Sequence, residues 1–170
     1  KNALDKIKPS NNDIIVFCHD DIEILLQPNQ FKTLLETNLT GSKAGFVGPA
    51  GAAYLSEDAI WWNKEIWGKG GLGGTTFFGP FRHVAVLDGV FLAAKGKMLK
   101  KLDFTKPAYF DGEWDFYDIF ITNQAREKKF KNKTIPILML HSSIGEVEGR
   151  DSWLKNREAF IANNKLPISV

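Results

Sequence analysis

A short apolar run that ends abruptly in charge sets the strongest limit on this chain. Ile14-Ile15-Val16-Phe17 follows Asn11-Asn12-Asp13 and leads through Cys18 into His19-Asp20-Asp21-Ile22-Glu23. β-branched and aromatic side chains suit a pleated strand better than a helix. A run without polar alternation reads as a strand buried on both faces. Asp13 to Phe17 is therefore read as a buried strand with a polar cluster at its carboxyl end.

The rest of the chain supplies partners for that strand. Asn2 to Ile7 reads as a short helix. Pro28 suits a helix first turn, and Phe31, Leu34, Leu35 and Leu39 share one helical face before Gly41 stops it. Gly45 to Val47 reads as a strand, and so does His83 to Leu87. Lys95 to Leu102 reads as a short helix and Trp114 to Lys129 as a longer one, with basic residues near its end. Ile135 to Leu140 reads as a second buried strand, and Asp151 opens a last amphipathic helix through Trp153, Leu154, Phe160 and Ile161. Between them, Tyr54 to Pro80 is irregular and holds Trp61, Trp62 and Trp67 before a glycine-dense stretch. A loop of that length in a compact domain is usually functional or mobile. Strands alternating with helices predict an α/β fold with a mixed, mainly parallel sheet flanked by helices.

Composition narrows the function classes. The 170 residues suit a single domain spanning 1–170, and 44% hydrophobic with 25% charged residues excludes disorder and fibrous repeats. The 22 cationic and 20 acidic side chains leave +2. That balance gives no argument for a nucleic-acid or anionic-membrane partner. No apolar run approaches the roughly 20 residues of a membrane span. Lys1 to Pro9 has no signal-peptide core, and the one cysteine, Cys18, cannot form an internal disulfide. A reducing, cytoplasmic compartment is expected, with a place at the membrane surface left open.

Two formal motifs carry little. Gly68-Lys69-Gly70-Gly71-Leu72-Gly73 matches G-x-G-x-x-G but lacks the preceding strand and following helix that a dinucleotide site needs. Asn38 and Asn132 sit in glycosylation sequons without a secretion signal, and read as plain loop asparagines.

Three constellations carry more. His19-Asp20-Asp21 follows the first strand, and open α/β sheets bind ligands at the carboxyl ends of strands. Two adjacent carboxylates there repel unless a cation or donor pairs them. A hard divalent ion with phosphate oxygens is a natural partner, and a surface turn is the plainer alternative. Asp111-Gly112-Glu113-Trp114-Asp115-Phe116-Tyr117-Asp118 holds four acids in eight residues. Helix-start electrostatics account for Asp111, Glu113 and Asp115, and account poorly for Asp118 among Phe116, Ile119 and Phe120. His141-Ser142-Ser143 lies at the end of the second buried strand, where a structural and a ligating histidine are equally plausible.

Taken in order, these segments resemble the glycosyltransferase family 2 type of GT-A domain, in the subgroup with a His-Asp-Asp motif. The resemblance runs through Ile15 to Glu23, Leu87-Asp88-Gly89-Val90 to Lys95, Phe110-Asp111 with Phe116 to Ile119, and Leu140-His141-Ser142. It implies a GT-A-like fold, shortened at the N-terminus by the strand-helix-strand unit that binds the nucleoside. A second chain or a preceding segment is expected to complete that nucleotide site. The resemblance further implies Asp21, with Asp20 and His141, as ligands of Mn²⁺ or Mg²⁺, and Asp20 in the donor site. Asp88 and Gly89 are implied as the lining of the sugar and acceptor pocket, and Asp118 as the catalytic base. Trp62, with its tryptophan neighbours, is a candidate platform for an acceptor sugar, and core packing accounts for it equally well. The family departures are Cys18, where many members carry an acid, and Tyr117, where an acid usually precedes the base.

The expected activity is metal-dependent, inverting transfer of a sugar from a nucleotide-sugar donor to a saccharide or other hydroxyl acceptor. The alternatives are a carbohydrate-binding remnant of the same fold and a metal-dependent phosphohydrolase.

Overall fold

A five-stranded sheet runs through the middle of the molecule, and the Ile14 run forms one of its edges. The computed structural model describes residues 2–63, 66–67, 75–77, 81–111, 115–142 and 151–170. The chain opens with helix α1 (Asn2–Ile7), strands β1 (Ile14–Cys18) and β2 (Ile22–Ile24), helix α2 (Pro28–Asn38) and strand β3 (Ala44–Gly48). Short strands follow: β4 (Gly51–Ala52), β5 (Tyr54–Leu55), β6 (Ile66–Trp67), β7 (Thr75–Phe77), β8 (Arg82–Val84) and β9 (Val86–Leu87), with a 3-10 turn at Trp61–Asn63. Next come β10 (Phe91–Lys95), α3 (Gly96–Leu99), α4 (Tyr117–Glu127), β11 (Lys131–Thr134), β12 (Met139–His141), α5 (Asp151–Asn163) and β13 (Ile168–Ser169).

The central sheet has the order β1-β10-β3-β11-β8. Only β11 and β3 pair in parallel; the β1/β10, β10/β3 and β11/β8 pairs are antiparallel. The fold is mixed α/β, but the sheet is mainly antiparallel, which corrects the expectation of a mainly parallel one. β1, β3 and β11 do share a direction. The difference comes from β10, which runs against its two neighbours and lies between them, and from edge strand β8, which runs against β11. Phe91-Leu92-Ala93-Ala94 carries neither alternation nor β-branching, so nothing local announces a strand.

The burial of β10 explains that pattern. Phe91 and Ala93 face one apolar cluster with Leu35, Leu39 and Phe160, while Leu92 and Ala94 face another with Met98, Ile121 and Ala125. A strand covered on both faces needs no polar positions. β1 is less enclosed than expected: Val16 is 38% exposed and Cys18 is exposed, because β1 is the edge strand.

The reading of Ile135 to Leu140 as one strand is also corrected. Pro136 has no N–H to give a ladder. The chain instead pairs over Lys131–Thr134 in the central sheet, and again over Met139–His141 in a second sheet of order β2-β12-β7. Lys-Asn-Lys-Thr looks like a surface segment, yet Asn132 and Thr134 are buried. The Asn132 side chain donates to the carbonyls of Ala85 at 3.0 Å and Thr122 at 2.8 Å, and accepts from the Phe46 N–H at 3.1 Å. It therefore stitches β3, α4 and the β8–β9 link, and is not the loop asparagine that its sequon suggested. Asn132→Leu strands these three backbone groups, at about 1–3 kcal/mol for a buried group left unsatisfied. At the low end for each of the three, about 3 kcal/mol in all, a melting temperature lower by roughly 6–12 °C is expected in a thermal scan. An unchanged value would remove the stitching role.

α2, α3 and α5 lie where expected. α4 starts at Tyr117 rather than Trp114, and residues 112–114 lie outside the described set. So do residues 68–74, which hold the glycine-rich motif, and Ser143. The Tyr54 to Pro80 stretch, read as an irregular loop, contributes β5, β6 and β7 to three small sheets. Among the described residues no helix is long and apolar enough to cross a membrane.

Candidate functional site

Antiparallel pairing of β1 with β10 puts the end of one strand beside the start of the other. Cys18 is opposite Phe91, and the His19 N–H donates to the Val90 carbonyl at 3.1 Å. The His-Asp-Asp segment and the Asp88-Gly89 turn thus meet at one end of the sheet. The second sheet brings His141 to the same place. β12 pairs with β2 so that His141 faces Ile22, and the Ser142 N–H donates to the Asp21 carbonyl at 3.1 Å.

The result is a compact group of ligand atoms. His141 Nε2 lies 3.2 Å from Asp21 Oδ1 and 3.2 Å from His19 Nδ1, and His19 Nδ1 lies 4.0 Å from Asp21 Oδ1. Two ligands at about 2.1 Å from an ion, subtending about a hundred degrees, stand about 3.2 Å apart, so two of the three separations fit a divalent ion as they are. His141 is buried, whereas Asp21 and His19 keep 29% and 44% of their side-chain surface. One side of the group is therefore open to an incoming ligand.

Asp20 is exposed and does not belong to this group; His19 stands where it was expected. The sequence signal for His19 is its place beside the Asp pair. His19 follows β1 directly, and the turn at Asp20–Asp21 that leads into β2 brings the Asp21 carboxylate back beside it and leaves Asp20 exposed.

The acidic residues of the later segment separate in the same way. Asp118 is the second residue of α4, in its first turn rather than one turn in. Its Oδ2 accepts the Gly89 N–H at 2.9 Å and its Oδ1 accepts the Ile119 N–H at 2.8 Å. The neighbouring Tyr117 hydroxyl donates to the Gly89 carbonyl at 3.2 Å. Both backbone groups of Gly89 are thus held by the first turn of α4. Thr122 adds a second tie, its hydroxyl donating to the Asp118 carbonyl at 2.6 Å and lying 3.3 Å from the Leu87 N–H that donates to it.

Asp111 and Asp115 face another partner, and Asp115 does not share a helix face with Asp118 because it precedes the helix. Buried Asn156 of α5 accepts the Asp111 N–H at 2.8 Å and donates to the Asp115 carbonyl at 3.1 Å. The Asp115 carboxylate accepts the Ser152 hydroxyl, and the Asp111 carboxylate lies 3.7 Å from Lys155 Nζ. Glu113 lies outside the described residues. α4 is entered through Phe116 in the left-handed region, at φ 69°. Its ring packs on Trp153 at 5.6 Å and Phe160 at 5.3 Å, which holds a backbone conformation that a bulky residue rarely adopts. Trp62 belongs to the same aromatic stack, 5.6 Å from Trp153 and 5.8 Å from Trp61.

Electrostatics single out two carboxyls. Burial, and then the charge of Asp88, push Asp118 up to about 7 against the backbone N–H groups of Ile119, Gly89 and Asp118 itself, which favour its anion. Burial also raises Asp88, opposed by the Val90 N–H at 2.8 Å and by the nearby imidazoles of His19 and His141. The Tyr117 hydroxyl is raised too, mainly by burial and then by Asp118, so it stays protonated and keeps donating. Comparison with family models, curated proteins and solved structures finds no significant match.

Proposed function

We propose that this chain is a metal-dependent inverting glycosyltransferase with a GT-A-like arrangement of its site. One observation carries the reading: a His19–Asp21–His141 ligand group and a carboxyl poised near neutrality, Asp118, meet across the Asp88-Gly89 turn. A base with a pKa near the working pH is the kind that abstracts a hydroxyl proton effectively. In this reading Asp118 takes the proton of the acceptor hydroxyl as its oxygen attacks the anomeric carbon from the side opposite the leaving diphosphate, which inverts that centre. Asp88 and Gly89 line the sugar pocket. His19, Asp21 and His141 hold the Mn²⁺ or Mg²⁺ ion, which supplies charge neutralisation to the leaving diphosphate. The two imidazoles favour Mn²⁺ of the pair.

Incubation with a panel of nucleotide-sugars, Mn²⁺ and saccharide acceptors tests this, with nucleoside diphosphate release and product configuration as readouts. A carbohydrate-binding remnant binds saccharide and releases no diphosphate, and that result would overturn the enzymatic reading.

Metal binding has its own readout. Mn²⁺ at a hundred times its Kd is expected to raise the melting temperature by roughly 5–10 °C, from about 2.7 kcal/mol of linkage. His141→Ala should abolish the shift and Asp20→Ala should leave it. An equal loss in both variants would put the ion elsewhere.

A further inference from the structure

The +2 net charge conceals a strong segregation. β1 and β10 run in opposite directions, so the end of the sheet away from the site gathers the start of β1, the end of β10 with α3, and the starts of β3 and β11. Segments 4–13, 41–44, 95–104 and 126–131 meet there. They hold eleven of the 22 cationic side chains and four of the 20 acidic ones.

Contacts tie these segments into one surface. Lys97 Nζ donates to the Gly41 carbonyl at 3.0 Å, and Lys100 Nζ to Asn11 Oδ1 at 3.0 Å. The Lys131 N–H donates to the Lys43 carbonyl, and Lys101 lies over the Phe130 ring at 5.7 Å. Lys97 and Lys100 thus spend these contacts on neutral oxygens. The acids are engaged locally: Asp13 accepts the Ser10 N–H, Asp103 the Thr105 N–H, and Glu127 the Asn123 amide; the fourth, Asp5, is exposed on α1.

An apolar element lies within this cationic surface. Ile7 is 60% exposed and flanked by Lys6 and Lys8. Beside it is a groove of about 800 Å³, with Leu4, Leu99, Leu102 and Phe104 as its apolar lining and the pairs Lys8 and Lys100, Asp5 and Asp103 at its edges, so the excess of cations lies on the surrounding segments rather than in the groove itself. Cations around an exposed aliphatic side chain complement the headgroup region of an anionic bilayer, where lysines meet phosphates and the apolar group enters the acyl boundary. A polynucleotide would instead call for exposed aromatic rings among the cations, and the two phenylalanines here are largely covered.

We infer that this pole docks on an anionic lipid bilayer, leaving the candidate site at the far end of the sheet free to face water. The inference does not depend on the chemistry of that site. The test is co-sedimentation of the whole chain with phosphatidylcholine vesicles, with and without phosphatidylglycerol. Binding should require phosphatidylglycerol and weaken with salt. Lys128→Glu/Lys129→Glu and Lys100→Glu/Lys101→Glu should each lower partitioning by at least about 25-fold, at roughly fivefold per lysine. Ile7→Asp should lower the part that survives high salt. Lys32→Glu, on α2, should change nothing. Equal binding to neutral vesicles, an equal effect of Lys32→Glu, or retention by single-stranded RNA without vesicle binding would overturn the inference. Unchanged melting temperatures in the charge variants would assign the loss to docking rather than to unfolding.

Discussion

Asp118→Asn is expected to reduce sugar transfer by about 10²–10⁴ while sparing donor binding, because a base acts in the transition state. Donor affinity should stay within a few-fold, read by isothermal titration with Mn²⁺ present. The wild-type rate should rise with pH as Asp118 ionises, about tenfold per unit below about 7, and level off above it. Stability should move the other way. The folded chain keeps a proton on Asp118 to about 7, whereas the unfolded chain releases it near 3.8. The native state binds the extra proton across that window, so stability falls as pH rises from about 4 to about 7 and is flat above. Asp88, raised in the same direction, adds to the slope. Asp118→Asn should flatten this dependence in thermal scans. A variant that transfers normally, or a rate that falls through neutrality, would remove Asp118 as the base. Asp111→Asn and Asp115→Asn serve as comparisons and should keep most of the activity, since their backbone and side chains are engaged with α5.

Gly89→Ala should be nearly as damaging without touching a titratable group. A Cβ there would stand 2.5 Å from the Tyr117 hydroxyl, 2.9 Å from Cζ and 3.1 Å from Asp118 Cβ. Neither neighbour can yield easily, because Phe116 and Thr122 fix the start of α4 from both sides. Overpacking of this kind costs about 1–3 kcal/mol, and displacement of a base by about 1 Å costs about 10² in rate. Tyr117→Phe in the same chain removes the nearest atom and should recover part of the loss. No recovery, or no loss at all in Gly89→Ala, would mean that the turn is not held by α4 as described.

Part of the candidate site was legible because its residues stand at the ends of apolar runs. Asp21 follows an Ile-Ile-Val-Phe run and His141 follows Met139-Leu140, and the fold brings the two side chains within 3.2 Å. His19 was named with its motif and not as a ligand, since the pair of carboxylates drew attention from the histidine beside them, and the turn that brings Asp21 to it is not written in the spacing. The fold was harder where burial is polar or uniform. β11 hides because its inward residues, Asn132 and Thr134, are satisfied by hydrogen bonds rather than apolar contacts. β10 hides because both its faces are covered, so no periodicity survives. Missing β10, and the reversed direction of edge strand β8, turned a mainly antiparallel sheet into an expected parallel one. The charge balance is silent on distribution for a related reason. A sum over the chain cannot register that β1 and β10 send their ends to opposite poles.

The ligand group also lies at a seam. His19 follows β1 of the central sheet, while Asp21 precedes β2 and His141 closes β12, both in the second sheet. An ion held by all three would act as a rivet between two backbone ladders that are free to open separately without it. In Mn²⁺ the amides of β2 and β12 should exchange hydrogen as slowly as those of β1. After chelation they should open first, so that one cooperative unit becomes two.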